Sequence, residues 1–374
     1  MMRRLTVTAT LSSMLACLVA CSFTDKPAPT PLQALADSAT AQPLWSVRLG
    51  GDVSPALRMT VADGLIVAVN DSGDVSAREL LTGRERWHGR VDGIVSAGVG
   101  SDGRYAAVVT KDNELVVLDS GMQKWRTPLN TRVVTSPLVA GERVFVQGVD
   151  RAVAAFDVID GRKLWVYQRP SDPLALSQPG VLQPVRNTLW IGVGPRLVAL
   201  DPVRGTVKQD AIVASPRGGN EVERLADLVG PAARFGDVLC VRSFQTAVGC
   251  LDATQSVVTW SKTQAGMQGL AMDDEFVYGA DSSDRVVAWR RTSGDIAWRV
   301  ETLLHRTLSA PAAIAGKVAV GDFEGYVHLL SRQDGHTVAR LSTRGSGVAS
   351  PMVVVGSNLL VLTRDGGLFA FAVD

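Results

Sequence analysis

Eleven residues, AFDVIDGRKLW at 155–165, set a frame that recurs along most of the chain: a small residue, an acid two positions on, a Gly six on and a Trp ten on. The frame returns as ARELLTGRERW at 77–87, AWRRTSGDIAW at 288–298 and, with substitutions, CLDATQSVVTW at 250–260. VLDSGMQKW, ending at Trp125, is a shortened copy, while ALDPVRGTVKQ (199–209) and LLSRQDGHTVA (329–339) keep the Gly and lose the Trp. Trp45 in PLWSVRL is an end without a beginning, and AFAVD at 370–374 is a beginning without an end. Frame ends therefore fall at 45, 87, 125, 165, 209, 260, 298 and 339. A period of roughly 40 residues holds four short strands and marks a propeller blade.

Between the frames lie short Val- and Leu-rich runs punctuated by Gly, Asp and Pro, with few helical signals. The expected fold class is all-β: an eight-bladed β-propeller of four-stranded antiparallel blades over residues 44–374, closed by pairing the N-terminal strand with the C-terminal blade. In each frame the acid turns out of the third strand, Gly supplies the positive φ of a hairpin, and Trp opens the fourth strand with a large surface for the neighbouring blade. Trp45, Trp87, Trp125, Trp165, Trp260 and Trp298 are accordingly expected to be blade-docking residues.

The N-terminus is of another kind. Arg3 and Arg4 precede a mostly apolar run over 5–20, which at about 1.5 Å per helical residue reaches ~24 Å, short of the roughly 30 Å of a hydrocarbon core. It reads as a signal peptide, 1–20, and Leu18-Val19-Ala20-Cys21 resembles the lipobox of bacterial lipoproteins. Cys21 is then the lipidation site, with two or more acyl chains giving stable attachment to a membrane leaflet. The following stretch to 43, with Pro27, Pro29, Pro31 and Pro43, reads as a flexible tether. Ser22 after the Cys suggests the outer membrane, by resemblance to bacterial sorting.

Removing 1–20 takes away two Arg and no acid, moving the formal net charge from +1 to −1. A near-neutral chain without a basic run carries no footprint for nucleic acid. Cys240 and Cys250, in LCVRSFQTAVGCLD, are a candidate disulfide across a hairpin or two small buried residues. The four His, at 88, 305, 328 and 336, have no Cys or His at metal spacing, and no Ser/His/Asp order stands out, so no catalytic or metal site and no cofactor are expected.

The frame resembles the repeat of the pyrroloquinoline-quinone propellers, and LLHRTLSAPAAIAGKVAVGDFEGYVHLLSRQDG (303–335) resembles the BamB family of outer-membrane assembly lipoproteins. The resemblance implies a non-enzymatic scaffold on the periplasmic face of the outer membrane. Its implied partners are the POTRA domains of BamA, the rest of the Bam complex, and unfolded outer-membrane proteins. Two other readings stand beside it: a periplasmic quinone-dependent dehydrogenase, for which the family's adjacent Cys-Cys pair is missing here, and a glycan- or peptidoglycan-binding propeller.

Links between blades locate the expected partner face. Blade openings at Pro55, Ala97, Pro137, Pro179, Pro231, Leu270, Pro311 and Pro351 make the links before Pro179 and Pro231 the longest, and these two are neighbours. The first carries DPLALSQP, with Leu174 and Leu176 as apolar anchors. In the second, NEVERLADL is expected to form a short helix capped by Asn220 with Glu223. Its apolar face would hold Val222, Leu225, Ala226 and Val229, with Arg224 and Asp227 opposite. The BamB resemblance places Leu174, Leu176 and Asp227 at contact positions for BamA; Ser177 and Val229 stand where a basic and an acidic residue are usual. Alternatively, the leucines plug a blade seam and the helix is a spacer.

Overall fold

A computed structural model describes residues 27–35, 41–170, 174–215, 219–222 and 224–374. All regular structure among them is β. Strand β1 is Ala41–Arg48. The first blade holds β2 to β5 (Thr60–Ala62, Leu65–Val69, Asp74–Glu79, Glu85–Arg90) and the second β6 to β9 (Val95–Ser101, Tyr105–Thr110, Glu114–Asp119, Met122–Pro128). The third is β10 to β13 (Leu138–Ala140, Arg143–Gln147, Val153–Asp157, Lys163–Tyr167) and the fourth β14 to β17 (Leu182–Val185, Thr188–Val193, Arg196–Leu200, Val207–Ile212). Then come β18 to β21 (Leu228–Phe235, Val238–Ser243, Ala247–Asp252, Val257–Thr263) and β22 to β25 (Ala271–Met272, Phe276–Ala280, Val286–Arg290, Ile296–Val300). The seventh is β26 to β29 (Ala312–Ile314, Lys317–Gly321, Tyr326–Ser331, Thr337–Ser342). In the eighth, β30 to β32 (Val353–Val355, Asn358–Leu362, Gly367–Val373) are completed by β1 on the outside. The expected closure of an eight-bladed propeller is therefore what the chain adopts.

The repeat frame has a simple spatial meaning. Its small residue and its Trp are direct cross-strand partners: Ala77 with Trp87, Ala155 with Trp165, Cys250 with Trp260, Ala288 with Trp298. In the closing blade Ala370 faces Trp45, so the two orphan halves rebuild one frame from opposite ends of the chain. A large ring over a small neighbour fits the pleat where directly opposed side chains lie closest.

Middle strands are buried on both faces because each blade is packed between two others. That is why β7 (YAAVVT) is buried throughout and reads as a continuous apolar run. Outer strands such as β25 (IAWRV) keep exposed positions among buried ones, having one face toward solvent.

Three local expectations change. Ala97 and Pro231 lie inside β6 and β18, at register shifts, so the link before the fifth blade ends at 227. NEVERLADL forms no helix among its described residues. One turn, closed by the Arg224 N–H on the Asn220 carbonyl, leads into β18, because pairing Leu228 with Ser243 and Val229 with Arg242 recruits the segment into the sheet. Val229 is thereby buried rather than part of a contact surface. Part of the expected free tether is also docked. The Thr30 N–H donates to the Leu304 carbonyl, Arg306 and Arg340 donate to the Thr30 and Gln33 carbonyls, and Leu32 packs with Leu303 and Leu308. Leu32 supplies apolar surface that the polar composition of the stretch conceals. Cys21 and Glu223 lie outside the described residues.

Candidate functional site

The two longest links, 168–181 and 213–227, join the third blade to the fourth and the fourth to the fifth, and so lie side by side on one face of the ring. A cleft of about 610 Å³ opens between them, lined by Arg169, Pro170, Leu174, Pro195, Arg196, Arg224 and Leu225 among others. Leu174 is 36% exposed at its rim, Leu176 is half-buried, and Val222 is exposed beside it.

One ion pair shapes this surface. Arg151, at the tip of the β11–β12 hairpin, donates from Nε to Asp227 Oδ1 at 2.7 Å and from Nη2 to Oδ2 at 3.1 Å. The same Nη2 donates to the Leu174 carbonyl at 2.9 Å, and Asp227 Oδ2 accepts the Leu176 N–H at 3.0 Å. Both side chains are nearly buried. Asp227 is thus a clamp for the backbone that carries the two leucines, and not a group projecting from a helix. A bidentate Arg–carboxylate pair fixes direction as well as distance, and withdrawal from water strengthens it. Arg224 is exposed, its Nε donating to the Asn220 carbonyl.

Behind the cleft, Asp210 accepts from Arg169 at 2.5 Å and from Arg196 at 2.7 Å. Burial alone would raise its carboxyl, but the hydrogen bonds from Arg196 and Arg169 outweigh that and hold it below the usual range. Arg151, Arg169, Arg196 and Arg224 face Asp210, Asp227 and the lining Glu221, so the cleft keeps a small positive bias. Sequence reasoning missed Arg151: in QGVDRAVAAF it is an ordinary hairpin-tip residue, and its partner lies 76 positions away.

The other named residues fall elsewhere. Cys240 and Cys250 pair directly across β19 and β20, with Cα atoms 4.0 Å apart and their sulfurs joined. The tryptophans line the blade seams. Indole N–H groups of Trp45, Trp125, Trp165, Trp260 and Trp298 donate to the carbonyls of Leu80, Val158, Pro202, Arg291 and Arg332 in the next blade, at 2.7–3.2 Å. Each ring also lies on the frame Gly of that next blade, where a β-carbon would come within 2.5–2.7 Å of it. Trp87 faces the shortened hairpin of the second blade, where a β-carbon on Gly121 would come no closer than 3.3 Å to its ring. His328 is fully buried with Asp322 and Arg306 in the seventh blade.

The ring and this loop-built cleft define a β-propeller whose two longest inter-blade links lie together on one face. The family model described as "Outer membrane protein assembly factor BamB" matches residues 71–300. Curated relatives of that name include one from Bordetella pertussis, 34% identical over 96% of this chain and 94% of its own length, and one from Burkholderia pseudomallei, 34% identical over 94% of each. The chain belongs to the BamB family. Among solved structures, BamB from Moraxella catarrhalis superposes with a TM-score of 0.79 at 23% identity, covering 89% of this chain and 99% of that one. The quinohemoprotein alcohol dehydrogenase of Comamonas testosteroni shares the fold at a TM-score of 0.66 and 15% identity, over 89% of this chain and 76% of its own.

Proposed function

We propose that this assembly factor is a non-enzymatic scaffold lipoprotein on the periplasmic face of the outer membrane. Acylated Cys21 anchors it to the lipid leaflet, and the cleft between the two long links binds the POTRA domains of BamA to promote folding and insertion of outer-membrane proteins. Unfolded outer-membrane proteins are then further partners, held near the barrel protein and not altered chemically. The observation that carries the interface is the Arg151–Asp227 clamp, because it holds Leu174 at the rim of a positively biased cleft and fixes the backbone of Leu176. An exposed Leu174 and a half-buried Leu176 on a rigid backbone, near Arg and Pro, match the anchor-and-rim arrangement of a protein interface. Membership of the BamB family supports the partner.

Leu174→Glu with Leu176→Glu should abolish capture of BamA POTRA domains while leaving the thermal midpoint nearly unchanged. Arg151→Ala should weaken capture with both leucines present, because their backbone loses its clamp. Unaltered capture in both variants would move the interface elsewhere. For the anchor, a palmitate analogue should label the wild type and miss Cys21→Ala.

A further inference from the structure

Two arginines in this molecule stand in opposite environments. Arg242 is fully buried at the seam of the fifth and sixth blades, and its guanidinium donates to the carbonyls of Gln268, Ala265, Gln264 and Ala280. Arg58, at the inner edge of the first blade, is half-buried; its guanidinium donates to nothing among the described residues, and its Nε is buried without a partner. Its backbone is held on both sides by the second blade: the N–H donates to the Gly98 carbonyl and its own carbonyl accepts the Val99 N–H. From there the guanidinium reaches Gly230 of the fifth blade, diametrically across a ring of eight. Arg58 therefore crosses the propeller axis from a fixed base. Burial with no compensating carboxylate pulls its guanidinium down to about 10.

The space around it is a cavity of about 360 Å³ on the face that carries the long links, lined by the entry segments of six blades. Its walls include Arg58 and Arg364 and no carboxylate. Arg364 makes no side-chain hydrogen bond or ion pair among the described residues, and the Ser350 hydroxyl is a second buried group with no partner. The remainder is mixed, with an apolar part formed by Val229, Met267, Leu308 and Val348 and a polar part that includes Gln178 and Gln268. Buried polar groups are as a rule satisfied, so the unpartnered Arg58 Nε and Ser350 hydroxyl on the wall of one cavity mark a missing acceptor. A planar guanidinium fits a carboxylate through two parallel N–H bonds. An inorganic phosphate would leave oxygens against the apolar wall, whereas an organic acid puts its body there.

We propose that the axial cavity is a binding site for an organic carboxylate with an apolar body, its carboxylate held by Arg58, Ser350 and, at the mouth, Arg364. Its lining shares no residue with the cleft between the long links, although Ser177, Gln178 and Pro179 of the first link form part of its wall, and the site does not depend on a partner at that cleft. The same chemistry is offered by a free small acid and by the C-terminus of a peptide ending in an apolar residue.

Isothermal titration of the purified protein with N-acetyl-L-phenylalanine, its amide, inorganic phosphate and a hexapeptide ending in Phe tests the site. Saturable binding of the acid is expected, with the amide weaker by about tenfold or more, as loss of a charge-assisted hydrogen bond predicts, and phosphate weaker because it has no apolar body for the wall. Arg58→Gln should weaken the acid by a similar factor, while its thermal midpoint without ligand stays at or above that of the wild type, since an uncompensated charge has been removed. Arg364→Gln, a surface change, should weaken the acid too and serves if Arg58→Gln folds poorly. Tighter binding of the hexapeptide than of the acid assigns the site to chain termini, and equal or weaker binding assigns it to small acids; both support it. The proposal is overturned if acid and amide bind alike, if phosphate binds as well as the acid, if nothing binds saturably, or if both Arg variants bind as the wild type does.

Discussion

The Trp of the repeat works as half of a pair whose other half sits in the next blade. Trp260 is 7% exposed, donates to the Arg291 carbonyl and lies on Gly294. Trp260→Ala should cost about 3–5 kcal/mol in urea denaturation, as other large buried aromatics do. The pairing also explains the degenerate frames. Where Gln209 replaces Trp, the next hairpin has Ser256 in place of Gly at φ 56°, and the Ser256 hydroxyl donates to Gln209 Oε1. Where Ala339 replaces Trp, the next blade is the closing one, in which β32 and β1 are joined by no hairpin. Gln209→Trp alone should therefore destabilise, by crowding Ser256, while Gln209→Trp with Ser256→Gly should recover the loss. A double-mutant cycle on thermal midpoints would read the coupling, and additivity would refute it.

At the level of one hairpin, the β27–β28 turn holds a buried charge network that secures the link carrying the docked N-terminal stretch. Asp322 accepts from Arg306 Nε at 2.9 Å, His328 Nε2 at 3.0 Å and the N–H groups of Glu324 and Tyr326. Burial would raise the Asp322 carboxyl, yet these donors, His328 first, hold it below the usual range. His328 is pushed below its ordinary value, chiefly by burial and further by Arg340 and Arg306, against the pull of Asp322. The unfolded chain thus binds a proton at His328 more readily than the folded one. Stability from this group is present above about pH 6.5 and is lost as pH falls from there through the folded value; Asp322 adds a loss of the same sign, below its unfolded value near 3.8. His328→Gln should flatten the decline between about pH 6.5 and 5 without abolishing the steeper acid transition, as urea midpoints across that range would show.

Over the whole molecule, one strand decides whether the ring is closed. Without β1 the eighth blade would expose the length of β32, an edge open to pairing with another chain. Deleting residues 1–40 should leave a folded monomer, whereas deleting 1–48 should lower the thermal midpoint by several degrees and promote association, measurable by light scattering. The Cys240–Cys250 pair spans only a short hairpin within a large core, and a short loop restrains the unfolded chain little. Reduction should add about two mass units and leave the fold intact. Two thiols alkylated without prior reduction would contradict the bond.

The sequence by itself determined the number of blades, their order and the place of closure. Each blade is a local unit whose turn residues and cross-strand pair lie within one frame, and half-frames at the ends can complete only each other. It also determined which links are longest, because link length is a distance along the chain. Only the tertiary structure decided what those links present. NEVERLADL has the spacing of a helix, but pairing of Leu228 and Val229 with a strand met later in the chain recruits its end into the sheet. Asp227 turns inward because Arg151, 76 residues earlier, lies beneath it, and no local pattern marks that pair. Arg58 became conspicuous only when six blades converged on the axis and none brought it a carboxylate. Local hydrogen bonding and hydrophobic period are written within a frame, whereas the partner of a charge is set by which surfaces the closed ring brings together.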